Sequence, residues 1–143
     1  MKLQRATLLG LYAILELADK PDEQISRIEI ARKFGVSSNH LSKVMRELYK
    51  AGLVESVRGA GGGYQFSGNA RRTTLLDVIN IFEPFHIESE QQERGADTGV
   101  GKTLNLIMEE INETVHATLN SITISTMLML KKRYESNPHS LGS

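Results

Sequence analysis

The stretch SRIEIARKFGVSSNHLSKVMRELYKAGLVESVRGAGGGYQF, residues 26–66, decides the fold because its apolar residues change period within it. Ile28, Ile30, Ala31 and Phe34 follow Ser26 at helical spacing, and Glu29 stands three residues after the serine in the form of a capping box. Gly35 stops that helix. After the spacer Val36-Ser37, a second run from Ser38 sets Leu41, Val44, Met45 and Leu48 on one face before Ala51-Gly52 ends it. Two short helices around a glycine turn form a helix-turn-helix. The period then drops to two: Leu53 to Val57 alternates, Arg58 to Gly63 is rich in glycine, and Tyr64-Gln65-Phe66 alternates again. The reading is a β-hairpin with a glycine tip, and the fold class is mainly α with a small hairpin wing.

Upstream, Leu3 to Ala18 carries Leu8, Leu11, Tyr12 and Leu15 at helical spacing, and the Pro-containing stretch Asp19 to Gln24 ends the helix. Lys2 and Arg5 before the apolar run Leu8 to Leu15 resemble the start of a signal peptide. Glu16 interrupts the run and no small-residue cleavage site precedes Asp19, so a cytoplasmic protein is expected. No stretch reaches the length of a membrane span. Downstream, Thr73 or Thr74 caps a helix through Leu75, Leu76, Val78, Ile79 and Phe82, and Pro84 closes it. This gives a winged helix-turn-helix domain over residues 1–84.

Residues 85–101 are polar and glycine-containing, a sensor or linker loop by composition. Over residues 102–143 a long helix carries Leu104, Met108, Ile111, Val115, Thr118 and Ile122 at 4,3,4,3,4 spacing. Ile107 and Leu119 widen the stripe as the seam of a paired helix requires, and these apolar positions are the expected dimer interface. Thr123 or Ser125 caps a last short helix, and the chain frays from Tyr134 onward.

The formal net charge of zero conceals a division. Residues 1–75 hold 12 Lys and Arg against 7 Asp and Glu, and residues 76–143 hold 5 against 10, so halves of +5 and −5 face each other along the chain. The basic half is the candidate nucleic-acid face. In a helix-turn-helix the second helix enters the major groove. Here it turns Ser38, Asn39, Ser42, Lys43 and Arg46 away from its apolar side, while Ser37 and Ser38 offer hydroxyl and backbone N–H groups near the helix start. Arg58 beside the glycines suits a minor groove, and Gly59, Gly61, Gly62 and Gly63, with Tyr64 closing the run, let backbone approach a sugar-phosphate surface. Each segment alone is equally readable as a solvated helix or a flexible turn; the combination favours DNA. The glycine run lacks the Gly-Lys-Ser/Thr of a phosphate-binding loop, and Tyr64 stands where a dinucleotide fingerprint needs glycine.

The chain has no cysteine, which excludes disulfides, thiolate-held clusters, zinc fingers and cysteine nucleophiles. His86, Glu88 and Glu90 alternate in the loop as metal donors, but no specific spacing fixes them and a solvated acidic loop is the simpler reading. His116 reads as an interface or surface residue, and Glu109, Glu110 and Glu113 as a wetted helix face. His40 has no nucleophile or carboxylate placed to work with it, so it reads as a DNA-facing donor. No catalytic set and no metal site is expected.

The runs Ile30-Ala31, Gly35-Val36-Ser37-Ser38-Asn39-His40-Leu41, Ala51-Gly52-Leu53-Val54, Val57-Arg58-Gly59-Ala60-Gly61-Gly62-Gly63-Tyr64 and Leu76-Asp77-Val78 resemble the Rrf-type regulators from Met1 to about Met129. The resemblance implies a homodimer that binds palindromic promoter DNA, usually as a repressor. It would place recognition-helix contacts on Ser37, Asn39, His40, Ser42 and Lys43 and the minor-groove arginine on Arg58. Many relatives hold an iron–sulfur cluster on three cysteines; the last would fall near Lys102 and an associated histidine near Asn105, so cluster-based sensing is not expected here. A cysteine-free regulator answering to a small metabolite, a metal or a partner protein is one alternative. A winged helix serving as a protein-interaction module without a DNA target is another.

Overall fold

The computed structural model describes residues 2–59, 62–86 and 94–139. Helix α1 (Arg5–Asp19) is followed by a two-residue strand β1 (Ile25–Ser26), helices α2 (Arg27–Phe34) and α3 (Ser38–Lys50), and strands β2 (Val54–Val57) and β3 (Gly63–Phe66). Helices α4 (Leu75–Phe82), α5 (Gly99–Ser121) and α6 (Ile124–Ser136) complete the order. The boundaries have local causes. Ser26 Oγ accepts from Glu29 N at 3.1 Å to start α2, and Gly35 ends that helix in the left-handed region at φ 63°, which costs glycine little. Ser37 Oγ accepts from His40 N at 3.1 Å to open α3. At α4, Thr74 and Asp77 form both halves of a capping box, at 2.9 and 3.1 Å.

The wing is a three-stranded antiparallel sheet in the order β1-β3-β2. Val54 to Val57 pairs with Phe66 to Gly63, and β1 adds Ile25 opposite Tyr64 and Ser26 opposite Gly63. Alternation in the sequence reveals only the hairpin, since two residues are too few to show a period. One core joins the layers: Leu9, Ala13, Ile14 and Leu17 of α1 pack with Ile30, Leu41, Met45, Leu48, Val54 and Val78. Glu83, just past α4, accepts from Gln4 N at 2.8 Å and from the Thr7 hydroxyl, satisfying donors at the start of α1.

The C-terminal region departs from the expected division at residues 84 and 101. Ile124 is fully buried in the same core as α1, and Leu128 packs against it, so α6 belongs to the N-terminal unit. Residues 70–75 and 122–125 are stitched together by backbone bonds: Leu75 N to Ile122 O at 2.9 Å, Ile124 N to Thr73 O at 2.9 Å, and Ser125 N to Ala70 O at 2.8 Å. Thr74 Oγ1 adds a 3.2 Å bond to Asn120 Oδ1. Helix α5 starts three residues before the expected 102 because Thr98 Oγ1 accepts from Gly101 N at 3.1 Å. Thr123 caps α6, and the helix continues to Ser136, beyond the fraying expected at Tyr134.

Lys131 ties α6 to the end of α1 through Asp19 Oδ2 at 2.8 Å. The hydrogen bond from Lys131 holds the Asp19 carboxyl below its ordinary range. The same bond raises the Lys131 ammonium. A lowered folded carboxyl stabilises above its unfolded value and loses that contribution as pH falls through the folded value. Lys131→Ala is therefore expected to cost about 0.2–1 kcal/mol in urea unfolding at pH 7, as exposed pairs do. The difference should vanish in acid below the carboxylate range, and an equal cost at both pH values would show that Lys131 acts through packing alone.

Candidate nucleic-acid interface

Helix α3 projects its polar side from the same unit that carries the wing. Ser38, Asn39, Lys43 and Arg46 are exposed, whereas His40 and Ser42 are half-buried. The Ser37 oxygen is engaged as the cap, and the Ser42 hydroxyl donates to Ser38 O at 2.8 Å, so Ser42 retains its acceptor side for a ligand. His40 borders two hollows. One, of about 180 Å³, is shared with Arg5, Tyr12 and Phe34; the other, of about 520 Å³, is shared with Lys43, Arg46 and Phe82. Arg5, at the first residue of α1, is thereby brought beside the recognition helix, a neighbour that only the packing of α1 on α3 reveals.

At the wing, Arg58 and Gly59 are exposed at the end of β2. Gly62 N donates to Gly59 O at 3.0 Å, which closes the tip, and Gly61 lies outside the described residues. Gly63 and Tyr64 belong to the sheet. Gly63 is buried, and a Cβ there would stand 2.5 Å from the Ile25 carbonyl oxygen; Tyr64 is half-buried against the core. The close approach of β1 therefore requires glycine at 63, independently of any approach to a DNA backbone.

Among the described residues three lysines are ion-paired. Lys33 pairs with Glu16 at 2.6 Å, Lys50 with Glu47 at 3.6 Å, and Lys131 with Asp19 and Glu135. Arg5, Arg27, Lys43, Arg46 and Arg58 make no ion pair among the described residues. Charge left uncompensated on the recognition helix and around the wing is what a polyanion neutralises.

Helix α5 carries an apolar stripe at the positions the spacing singles out. Leu104, Ile107 and Ile111 are 47%, 49% and 42% exposed, with Met108, Val115 and Leu119 half-buried beside them. Ile122 lies just past the helix end, where its carbonyl takes part in the backbone stitching. His116 does not project from the helix as expected: Nε2 is hydrogen-bonded to Phe85 O, with the two rings 5.6 Å apart. His86 is exposed, while Glu88 and Glu90 lie outside the described residues.

A recognition helix backed by a second helix and flanked by a hairpin defines a winged helix-turn-helix regulator. The chain belongs to the Rrf2 family, described as an iron-dependent transcriptional regulator, whose profile matches residues 3–129. It is 46% identical over 128 residues to BadM of Rhodopseudomonas palustris, an HTH-type transcriptional regulator by name, covering 90% of this chain and 81% of that one. Among solved structures, the oxidized form of Staphylococcus aureus CymR is 30% identical with a TM-score of 0.72, covering 90% of this chain and 96% of its own. IscR of T. potens is 27% identical with a TM-score of 0.71, covering 96% and 91%. The protein is a transcriptional regulator and not an enzyme. No helix among the described residues is long and apolar enough to cross a membrane.

The donor set does not fit a thiolate-held iron–sulfur cluster, because the sequence contains no cysteine. Among the described residues no three His, Asp or Glu side chains gather as a metal site would need.

Proposed function

We propose that the protein is a cytoplasmic homodimeric repressor that binds a palindromic promoter site in double-stranded DNA. Helix α3 would enter the major groove and the wing the adjacent minor groove. The observation that carries this reading is the exposed cationic set on α3 and the wing, Lys43, Arg46 and Arg58, none of which pairs with a carboxylate among the described residues. Ser37, Ser38, Asn39, His40 and Ser42 supply the short polar groups suited to phosphates and base edges. Two symmetric heads joined through the apolar stripe of α5 require a two-fold site. The signal is a small metabolite, a metal or a partner protein, since no cysteine is present to hold a cluster.

Selection from random duplexes followed by titration at fixed salt tests the reading. A palindrome should be enriched, and Arg58→Ala should weaken binding to it by about 1–3 kcal/mol, the range for a side chain that reaches into a groove. Failure to enrich any palindrome, or unchanged affinity for the variant, would refute the proposed mode of binding. An interaction module without a DNA target would give the first of these results.

A further inference from the structure

The strand order β1-β3-β2 places the ends of β1 and β2 on opposite margins of the wing, with the start of β3 between them. Arg58 follows β2 on one margin, and Arg27 follows β1 on the other. Two strand spacings separate the margins, about 9.5 Å. Arg27 N donates to Gly62 O at 3.3 Å, and one terminal guanidinium nitrogen of Arg27 lies 3.7 Å from where a Cβ on Gly62 would stand. The guanidinium therefore rests against the glycine at the tip. It is exposed and makes no ion pair or side-chain hydrogen bond among the described residues. Arg27 also opens α2, and the first helix of a helix-turn-helix is the one that crosses the DNA backbone.

Resting on the DNA-binding reading above, we propose that Arg27 and Arg58 bracket the wing as a pair with different tasks. Arg58 enters the minor groove, and Arg27 sits on a phosphate of the strand that walls it. The minor groove is about 6 Å wide, narrower than the separation of the margins, so a tip with Arg58 turned inward leaves the β1 margin over the wall. Arg27 is then a non-specific contact: it fixes how the wing seats and reads no base. Gly62 contributes by having no side chain beneath the guanidinium.

The test measures affinity for the selected palindrome across a salt series, using the full-length protein, Arg27→Gln, Arg27→Lys, Arg58→Ala and the remote surface variant Arg133→Ala. Arg27→Gln is expected to make the slope of log affinity against log salt shallower by about 1.8, or 0.9 for each head, with base preference unchanged. Arg27→Lys should restore the slope, and Arg133→Ala should leave it alone. Arg27→Gln with an unaltered slope, while Arg58→Ala still weakens binding, overturns the inference and leaves the DNA reading standing. A changed base preference in Arg27→Gln also overturns it, because a phosphate contact carries none. Absence of binding by the unmodified protein to every duplex would defeat both.

Discussion

With α5 pairing as proposed, Ile111→Glu is expected to leave the protein monomeric and to weaken binding to a palindromic duplex by about 10²–10⁴-fold, the gain that linking two sites supplies. Ile111 lies in the middle of the α5 stripe, 42% exposed in the single chain, flanked by Ile107, Met108 and Val115. Burying such a side chain contributes about 1.5–3 kcal/mol, and a carboxylate in its place must be desolvated without a partner. At 100° per residue Leu106 falls on the far side of the helix from Ile111, although it too is exposed, at 64%. Leu106→Glu is accordingly expected to remain a dimer. Sedimentation equilibrium on both variants distinguishes the seam from general surface apolarity. An Ile111→Glu protein that stays dimeric with full DNA affinity would place the interface elsewhere.

Gly63→Val should destabilise the folded protein by ~3 kcal/mol, at the upper end of what overpacking costs. The added atoms would meet backbone, which cannot rotate away: the Ile25 carbonyl oxygen at 2.5 Å and Ser26 Cα at 3.2 Å from the first carbon alone. Relief requires β1 to leave β3, which breaks the pairing of Ser26 with Gly63 and loosens the wing. Against a typical stability of about 5–15 kcal/mol the loss is large. Gly99→Ala provides the contrast, because nothing lies within 4 Å of a Cβ there and the site is the first residue of α5. It should be neutral or slightly stabilising. Denaturant midpoints with unchanged slopes would report both effects. Equal stability of Gly63→Val and the parent protein would mean that β1 is not held against the wing.

Much of the architecture is legible locally. Ser26, Gly35, Thr74 and Thr123 act at the element ends where their side chains or backbone freedom place them. Ser38, Asn39, Lys43, Arg46 and Arg58 are likewise exposed as spacing predicts. What the sequence conceals is contact between distant segments. Strand β1 exists because Ile25 finds Tyr64, 39 positions on, and a two-residue strand has no pattern of its own. The inward turn of His116 depends on Phe85, 31 residues earlier. Ile124 resembles any apolar residue of a terminal helix until α6 folds back on α1. Arg5 and Arg27 gain their placement from neighbours in space, His40 and Gly62, and not from neighbours in sequence.

The backbone stitching between residues 70–75 and 122–125 makes each head continuous with the end of its long helix. In a dimer crossing through those helices, the head behaves as the load on a rigid lever. From Ile111, in the middle of the stripe, α5 runs ten residues on to Ser121, an arm about 15 Å long. A change of about 12° in the crossing angle would carry its end through about 3 Å, close to the rise of one base pair. A signal acting at the crossing therefore needs no hinge inside the head to move the two reading helices out of step with successive turns of the duplex.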